Sequence, residues 1–181
     1  MLVTANTGNK FQHMIITQAH SEFDVIQWEA WTPNDQATLC FVLQDQQILL
    51  IEKQRGLGKG KVNGPGGKFD PGETAEECAV RETQEELGVT PLHLEPRGLL
   101  RFQFTNGYRL EAHIFIARDL IGIPIETEEA IPLWTHLDLI PYRRMWADDI
   151  LWLPHVINGK TVNGNFLFDD EKMLGVELEI G

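Results

Sequence analysis

Read along its apolar and polar positions, the chain breaks into short β-prone runs, two helical stretches and several turn-rich gaps. Residues 1–35 are mixed and weakly periodic. Their one apolar patch, Met14-Ile15-Ile16, precedes the turn-rich Thr32-Pro33-Asn34-Asp35. They are read as an N-terminal extension to a domain of residues 36–181. Residues 37–43 and 47–52 are β-prone and joined around Asp45, which predicts a hairpin. Residues 55–67 are rich in glycine and lysine and read as loop. Residues 74–87 predict a helix with both ends marked: Thr74 and Glu77 have capping-box spacing, and Gly88 suits the left-handed exit. Further β-prone runs cover 93–104, 110–117 and 131–135, and a second helix over 148–156 is interrupted by Pro154. Two last strands, 161–168 and 176–180, flank the Asp169-Asp170-Glu171 turn. Strands flanking two helices without regular alternation predict the α+β class, as a sandwich.

The first helix carries an unusual third stripe. Glu82, Glu85 and Glu86 fall within an arc of about 100°, beside an apolar face of Ala79, Val80, Thr83 and Leu87. Glu77, Arg81 and Gln84 are expected to face solvent. Like-charge pairs on an exposed helix cost roughly 0.2–0.5 kcal/mol each, so stability alone does not favour such a stripe. The bland reading is a solvated acidic face. Against it, the carboxylates border the core stripe, and the loop Gly64-Pro65-Gly66-Gly67-Lys68 directly precedes the helix. Glycines let a backbone approach a ligand closely, and hard cations favour carboxylate and carbonyl oxygens together with phosphates.

Composition narrows the context. The chain has 181 residues, 43% hydrophobic, enough for one compact domain with its own core. No apolar run approaches the roughly 20 residues that cross a bilayer. Residues 1–10 lack a basic stretch followed by an apolar one, and Cys40 and Cys78 are too few for a disulfide framework. A reduced, cytoplasmic setting is expected. The net charge of −12, with no Lys/Arg cluster, argues against a nucleic-acid polymer as partner, as the lack of an apolar span argues against a membrane. A phosphate ligand would then need divalent cations for much of its neutralisation. The six histidines show no ligand spacing and are assigned no role.

The run from Gly67 through Glu73 to Arg81-Glu82-Thr83-Gln84-Glu85-Glu86-Leu87-Gly88-Val89 resembles the Nudix box in full. Thr83 stands where that pattern has a larger aliphatic residue, and its methyl group still offers a packing surface. The resemblance implies the Nudix fold, a mixed β-sheet sandwiched between α-helices, and hydrolysis of a phosphoanhydride bond. It implies that Glu82, Glu85 and Glu86 hold Mg²⁺, with Mn²⁺ as the alternative, helped by the Gly66 carbonyl and by Glu129. It also implies that Arg81 orients Glu85, that Glu73 ties loop to helix, and that Glu82 or Glu129 is the general base.

From about residue 38 to residue 180 the chain resembles, within that family, the mammalian-type oxidised purine nucleoside triphosphatases. The matching runs are Arg55-Gly56-Leu57-Gly58, Asn63-Gly64-Pro65-Gly66-Gly67-Lys68, Met145-Trp146-Ala147-Asp148-Asp149 and Leu151-Trp152-Leu153-Pro154. The resemblance implies a small-molecule substrate such as 8-oxo-dGTP, cleaved to the monophosphate and pyrophosphate. Trp146 would stack the purine, which is worth roughly 1–3 kcal/mol per base. Asp148 and Asp149 would meet its hydrogen-bonding edge, as acceptors when ionised and as a donor when one is protonated. Thr38, Lys53, Asn63, Gly67 and Lys68 would complete the substrate contacts, and Phe102 and Phe104 stand where pocket walls are expected. The bland readings are a helix N-cap for Asp148 and core packing for Trp146 and the two phenylalanines. Leu57, Val62 and Pro65 replace aromatic residues of the mammalian form, which would widen the base pocket. The alternatives are hydrolysis of another nucleoside diphosphate derivative, such as ADP-ribose or a dinucleoside polyphosphate, and a non-catalytic nucleotide-binding module.

Overall fold

The computed structural model describes residues 2–6, 13–18 and 20–181. Strands and helices are numbered in chain order. The chain falls into two units, one drawn from residues up to 36, 97–112 and 147–181, the other from 37–96 and 113–146.

The first unit holds β1 (Leu2–Asn6), β2 (His13–Gln18), most of β7 (Glu95–Phe104), α2 (Asp149–Ile157), β11 (Val162–Asp169) and β12 (Lys172–Ile180). The strands run in the order β1-β2-β12-β11-β7. β11 is parallel to β7, with Phe166 opposite Phe102, and the other pairs are antiparallel, so the sheet is mixed. The apolar patch at Met14-Ile15-Ile16 lies in β2, where Ile16 pairs with Leu178 of β12. The segment after β2 packs too: Phe23 sits where a side chain on Gly175 would stand, within 2.7 Å of its Cβ, and Trp31 Nε1 donates to Gln103 (3.0 Å). α2 lies on β11 and β12, burying Trp152, Leu153 and Val156. Pro154 does not interrupt it. The carbonyl that Pro154 leaves without an N–H belongs to Ile150, a residue on the exposed face of the helix.

The second unit holds most of β3 (Asp35–Gln44), β4 (Gln47–Lys53), β5 (Val62–Asn63), α1 (Ala75–Leu87), β6 (Thr90–Leu92), the latter part of β8 (Arg109–Ala117), β9 (Asp119–Ile121) and β10 (Ala130–His136). β3 and β4 form the expected hairpin. Asp45 and Gln46 both take positive φ (47° and 65°), as a two-residue turn compatible with strand twist demands. β4 also pairs antiparallel with β10 and β5. The core packs Cys40, Val42, Leu49 and Ile51 against Ala79 and Leu87 of α1, with Phe115 and Ala130. The predicted run 93–104 becomes β7, starting two residues later than expected, and β6 lies before it as an additional short strand, separated by His93, which turns left-handed (φ 54°). Histidine tolerates that region better than most residues, and the β-prone composition around it hides the break. Among the described residues no helix is long and apolar enough to cross a membrane.

Candidate active site

Local sequence builds α1 as its composition demands. The Thr74 hydroxyl accepts the Glu77 N–H (3.3 Å), and the Glu77 carboxylate accepts the Thr74 N–H (2.9 Å). Gly88 ends the helix at φ 70°. Its buried face is Cys78, Ala79, Thr83, Glu86 and Leu87, so one of the three stripe carboxylates lies in the core. Thr83 is fully buried and its hydroxyl donates to the Ala79 carbonyl (2.7 Å), which leaves no polar atom unmet at this core position.

Arg81 departs from the helical-wheel expectation. Instead of facing solvent it folds back over the preceding loop. Its guanidinium donates to both oxygens of Glu73 (2.8 Å each), to the Lys68 carbonyl (2.9 Å), to Glu82 (2.8 Å) and to Glu85 (3.1 Å). The fork of five donors makes this possible, since one arginine can serve several carboxylates at once. Arg81 holds the Glu73 carboxyl down at about 2, and its own pKa is raised in return. Glu73 and Arg81 thus clamp the glycine loop to the helix.

Glu86 is about 1% exposed. Its Oε2 accepts the Gly66 N–H (2.8 Å), and its Oε1 stands 3.4 Å from Lys53 Nζ. Burial pushes its carboxyl up to about 7 against the opposing pull of Lys53. Burial also raises Glu82, with Arg81 opposing. Glu85 is half exposed.

The loop reaches these carboxylates because it has no side chains. A Cβ on Gly66 would lie 2.0 Å from the Thr38 carbonyl oxygen, and one on Gly67 would lie 2.3 Å from Glu82 Oε2. The loop is laced to β3 by Thr38 N–H to the Gly67 carbonyl (2.9 Å) and Cys40 N–H to that of Pro65 (2.8 Å). Thr38 is buried, with its hydroxyl 3.6 Å from Cys78 Sγ. Asn63 Oδ1 accepts the Gly64 N–H (2.9 Å), and Lys68 is exposed.

Glu129 is fastened through its carbonyl to Gln54 N–H (2.8 Å) and through its carboxylate to Arg55. Trp146 is half buried, with Lys61 Nζ over its ring. In the first unit, Asp148 and Asp149 are both buried (2% exposed). Asp148 occupies the N-cap position of α2 but makes no cap with its side chain. Its Oδ2 accepts Trp152 Nε1 (2.8 Å) instead, and its Oδ1, equally buried, has no hydrogen-bond partner among the described residues. Burial raises its carboxyl to about 6.

The NUDIX domain family matches residues 33–156. The chain belongs to the Nudix family. It is 43% identical over 138 residues to a zebrafish protein described as oxidized purine nucleoside triphosphate hydrolase, covering 76% of this chain and 88% of that one. The mouse protein of the same description is 43% identical over 135 residues, covering 74% and 86%. Among solved structures, a mutator MutT protein from Bacillus halodurans superposes with a TM-score of 0.72 at 28% identity, over 80% of this chain and 97% of that one. A MutT NUDIX hydrolase from Burkholderia pseudomallei gives 0.60 at 27%, over 66% and 95%. The α+β class and mixed sheet agree with this Nudix membership.

Within the Nudix segment the structure gathers the predicted residues into separate groups: Glu73, Arg81, Glu82 and Glu85 around one guanidinium; Lys53, Gly66 and Glu86 around one buried carboxylate. Glu129 is drawn to Arg55. Among the described residues no three carboxylate, imidazole or thiol groups converge on a single point. Four contributors were missed in the sequence. Arg55 and Lys61 lie in the run 55–67, read as loop. Cys78 touches the Gly67 and Lys68 carbonyls (3.6 and 3.5 Å), and Thr127 bonds the Glu86 carbonyl (2.8 Å). Only Arg55 carried a signal, through the run Arg55-Gly56-Leu57-Gly58. The others depend on which surfaces meet in space.

Proposed function

We propose that this Nudix hydrolase cleaves oxidised purine nucleoside triphosphates such as 8-oxo-dGTP, giving the monophosphate and pyrophosphate with Mg²⁺, or Mn²⁺, as cofactor. Hydrolysis of a phosphoanhydride bond follows from the family and its relatives. The substrate reading is carried by the 43% identity across 88% of a relative described as oxidized purine nucleoside triphosphate hydrolase. It is supported by Asp148 Oδ1, a buried acceptor with no hydrogen-bond partner among the described residues, where a purine N–H would relieve the cost of burial.

The donor set suits a hard cation. Glu82 and Glu86 are carboxylates whose burial is only partly offset by Arg81 and Lys53, and the all-oxygen chemistry matches Mg²⁺ better than a softer metal. Glu82, Glu85 and Glu86, with the Gly66 carbonyl and Glu129, are assigned as its ligands. Bound there, Mg²⁺ supplies charge neutralisation for the phosphate chain and lowers the pKa of a water. The chain's own groups do the rest. Arg81 holds Glu82 and Glu85 in place, Lys53 and the Gly66 N–H fix Glu86, and Gly67, lacking a side chain, leaves the space that the Glu82 carboxylate takes. Glu82 is assigned as the group that accepts the proton of the attacking water, with Glu129 the alternative base. Water adds in line to one phosphorus of the α–β anhydride as that phosphorus's bond to the bridging oxygen breaks, releasing the monophosphate and pyrophosphate. By resemblance to the family, Lys53, Gly67 and Lys68 are assigned to the phosphates, Trp146 to stacking of the purine, and Thr38, Asn63, Asp148 and Asp149 to its hydrogen-bonding edge.

The same reading takes residues 36–181 as the hydrolase domain, 1–35 as an extension, and a free nucleotide rather than a polymer as partner. It places the protein in the cytoplasm, in keeping with two free, buried cysteines. The test is kcat/KM for 8-oxo-dGTP, 2-hydroxy-dATP, dGTP and ADP-ribose with Mg²⁺, and analysis of products. Oxidised triphosphates should be preferred and should release pyrophosphate. Equal rates for dGTP and 8-oxo-dGTP, or preference for ADP-ribose, would reject the proposal.

A further inference from the structure

The last carbonyls of a helix find no N–H within it and are met from outside. At the end of α1 they are met by the segment that carries Glu129. Ile125 N–H donates to the Leu87 carbonyl (3.0 Å), and the Thr127 hydroxyl donates to the Glu86 carbonyl (2.8 Å). The same hydroxyl accepts the N–H groups of Glu129 (3.2 Å) and Ala130 (3.3 Å), while Thr127 N–H donates to the Ala130 carbonyl (3.0 Å). A hydroxyl has one proton to give and two lone pairs to receive with, and Thr127 uses all three.

These bonds close a circuit within the second unit. The Glu129 carbonyl accepts Gln54 N–H (2.8 Å), and Ala130 pairs with Lys53 across β10 and β4. Lys53 Nζ then returns to the Glu86 carboxylate (3.4 Å). Glu86 is thus gripped twice, by Lys53 at its side chain and by Thr127 at its carbonyl, and Glu129 is tied to both grips. The Glu129 carboxylate itself turns to Arg55, whose side chain is 61% exposed. An exposed ion pair contributes roughly 0–1 kcal/mol, so the backbone ties through Thr127 and Gln54, rather than Arg55, decide where Glu129 stands.

We infer that Thr127 is a positioning residue for metal binding, whose hydroxyl sets Glu129 relative to Glu86 so that loop and helix carboxylates serve one divalent cation. This rests on the assignment of Glu129 as a metal ligand. Mg²⁺ demands near-ideal placement of its oxygen donors, and the groups that hold those donors are typically worth about 10–100-fold in metal affinity or activity. Thr127 works only through Glu129. Its loss therefore falls on metal affinity and on kcat, and leaves recognition of the nucleotide in place.

The experiment uses the full chain with Thr127→Val, Thr127→Ala, Thr127→Ser, Glu129→Gln and Thr127→Val/Glu129→Gln. Mn²⁺ affinity is read from the electron paramagnetic resonance signal of the free ion, with and without 8-oxo-dGMP. Turnover of 8-oxo-dGTP is followed against Mg²⁺, and melting of the metal-free chain identifies the variants that fold. Thr127→Val and Thr127→Ala should each weaken Mn²⁺ binding about tenfold and lower kcat, with KM for the nucleotide little changed. Thr127→Ser keeps the hydroxyl and should restore the affinity. In the Glu129→Gln background Thr127→Val should weaken Mn²⁺ binding no further, since both changes act on one ligand. Unchanged affinity in the folded deletions, no rescue by Thr127→Ser, or equal effects of Thr127→Val with and without Glu129→Gln would overturn the inference. If neither deletion folds, the hydroxyl serves the fold and the inference falls. If Glu129→Gln weakens Mn²⁺ binding and the Thr127 deletions do not, the ligand assignment stands and the role of Thr127 falls. If Glu129→Gln leaves binding and turnover unchanged, both fall.

Discussion

At the residue scale, two buried carboxyl groups carry the clearest predictions. Glu86→Gln keeps shape and hydrogen-bonding capacity but loses the charge that the Lys53 ammonium and Gly66 N–H surround. Mg²⁺-dependent turnover should fall by about a hundredfold or more, with an unchanged circular dichroism spectrum. Near-normal rates would reject its assignment as a ligand. Asp148 gives a pH prediction. Burial raises its carboxyl from an ordinary 3.8 to about 6, so between these values the folded state binds its proton more tightly than the unfolded chain. Its contribution to stability is therefore intact below pH 3.8, declines as pH rises to 6, and is lost above that. Asp148→Asn removes the penalty while its amide oxygen still accepts Trp152 Nε1. The variant should be more stable than wild type at pH 7.5, by about 1–3 kcal/mol, with the gap closing by pH 4 in calorimetry. A gap independent of pH would contradict the sign. In turnover, Asp148→Asn and Asp149→Asn should shift the preference among purines more than the rate on the best one.

At the element scale, the glycine loop and α1 separate folding from function at adjacent positions. Gly66→Ala would drive a Cβ into the backbone carbonyl of Thr38 at 2.0 Å, in a conformation (φ 154°) that favours glycine. Backbone cannot yield cheaply there, so the variant should lose several kcal/mol, on the order of 3, in chemical denaturation. Gly67→Ala meets the end of the Glu82 side chain at 2.3 Å, and a flexible side chain can turn away. Its stability should stay within about 1 kcal/mol of wild type, while displacement of Glu82 lowers kcat/KM at least about tenfold. Equal effects of the two changes on stability would show that the loop is not held as described. Thr74→Ala removes the N-cap and should cost about 1 kcal/mol without altering KM.

At the scale of the whole molecule, residues 13–18 and 20–34 contribute structure to the first unit: β2 pairs along β12, and Phe23 fills the space above Gly175. Deleting residues 1–35 should expose an edge on β12, lower the melting temperature and promote self-association, seen by light scattering. An unchanged melting temperature would show that the extension adds nothing to stability. The elements were largely legible in the chain because their signals are local: Thr74, Glu77 and Gly88 delimit α1, and Asp45-Gln46 closes a hairpin. His93 hid its break among β-prone neighbours, and Pro154 suggested one that an exposed Ile150 makes unnecessary. The carboxylate helix, its glycine loop and the family they signal were likewise determined by sequence, since spacing along one helix sets which side chains share a face. Tertiary structure alone decided what each charge does. Burial and partner choice depend on segments distant in the chain, so only the folded molecule sends Glu86 into the core beside Lys53, folds Arg81 back over Glu73, and turns Glu129 to Arg55.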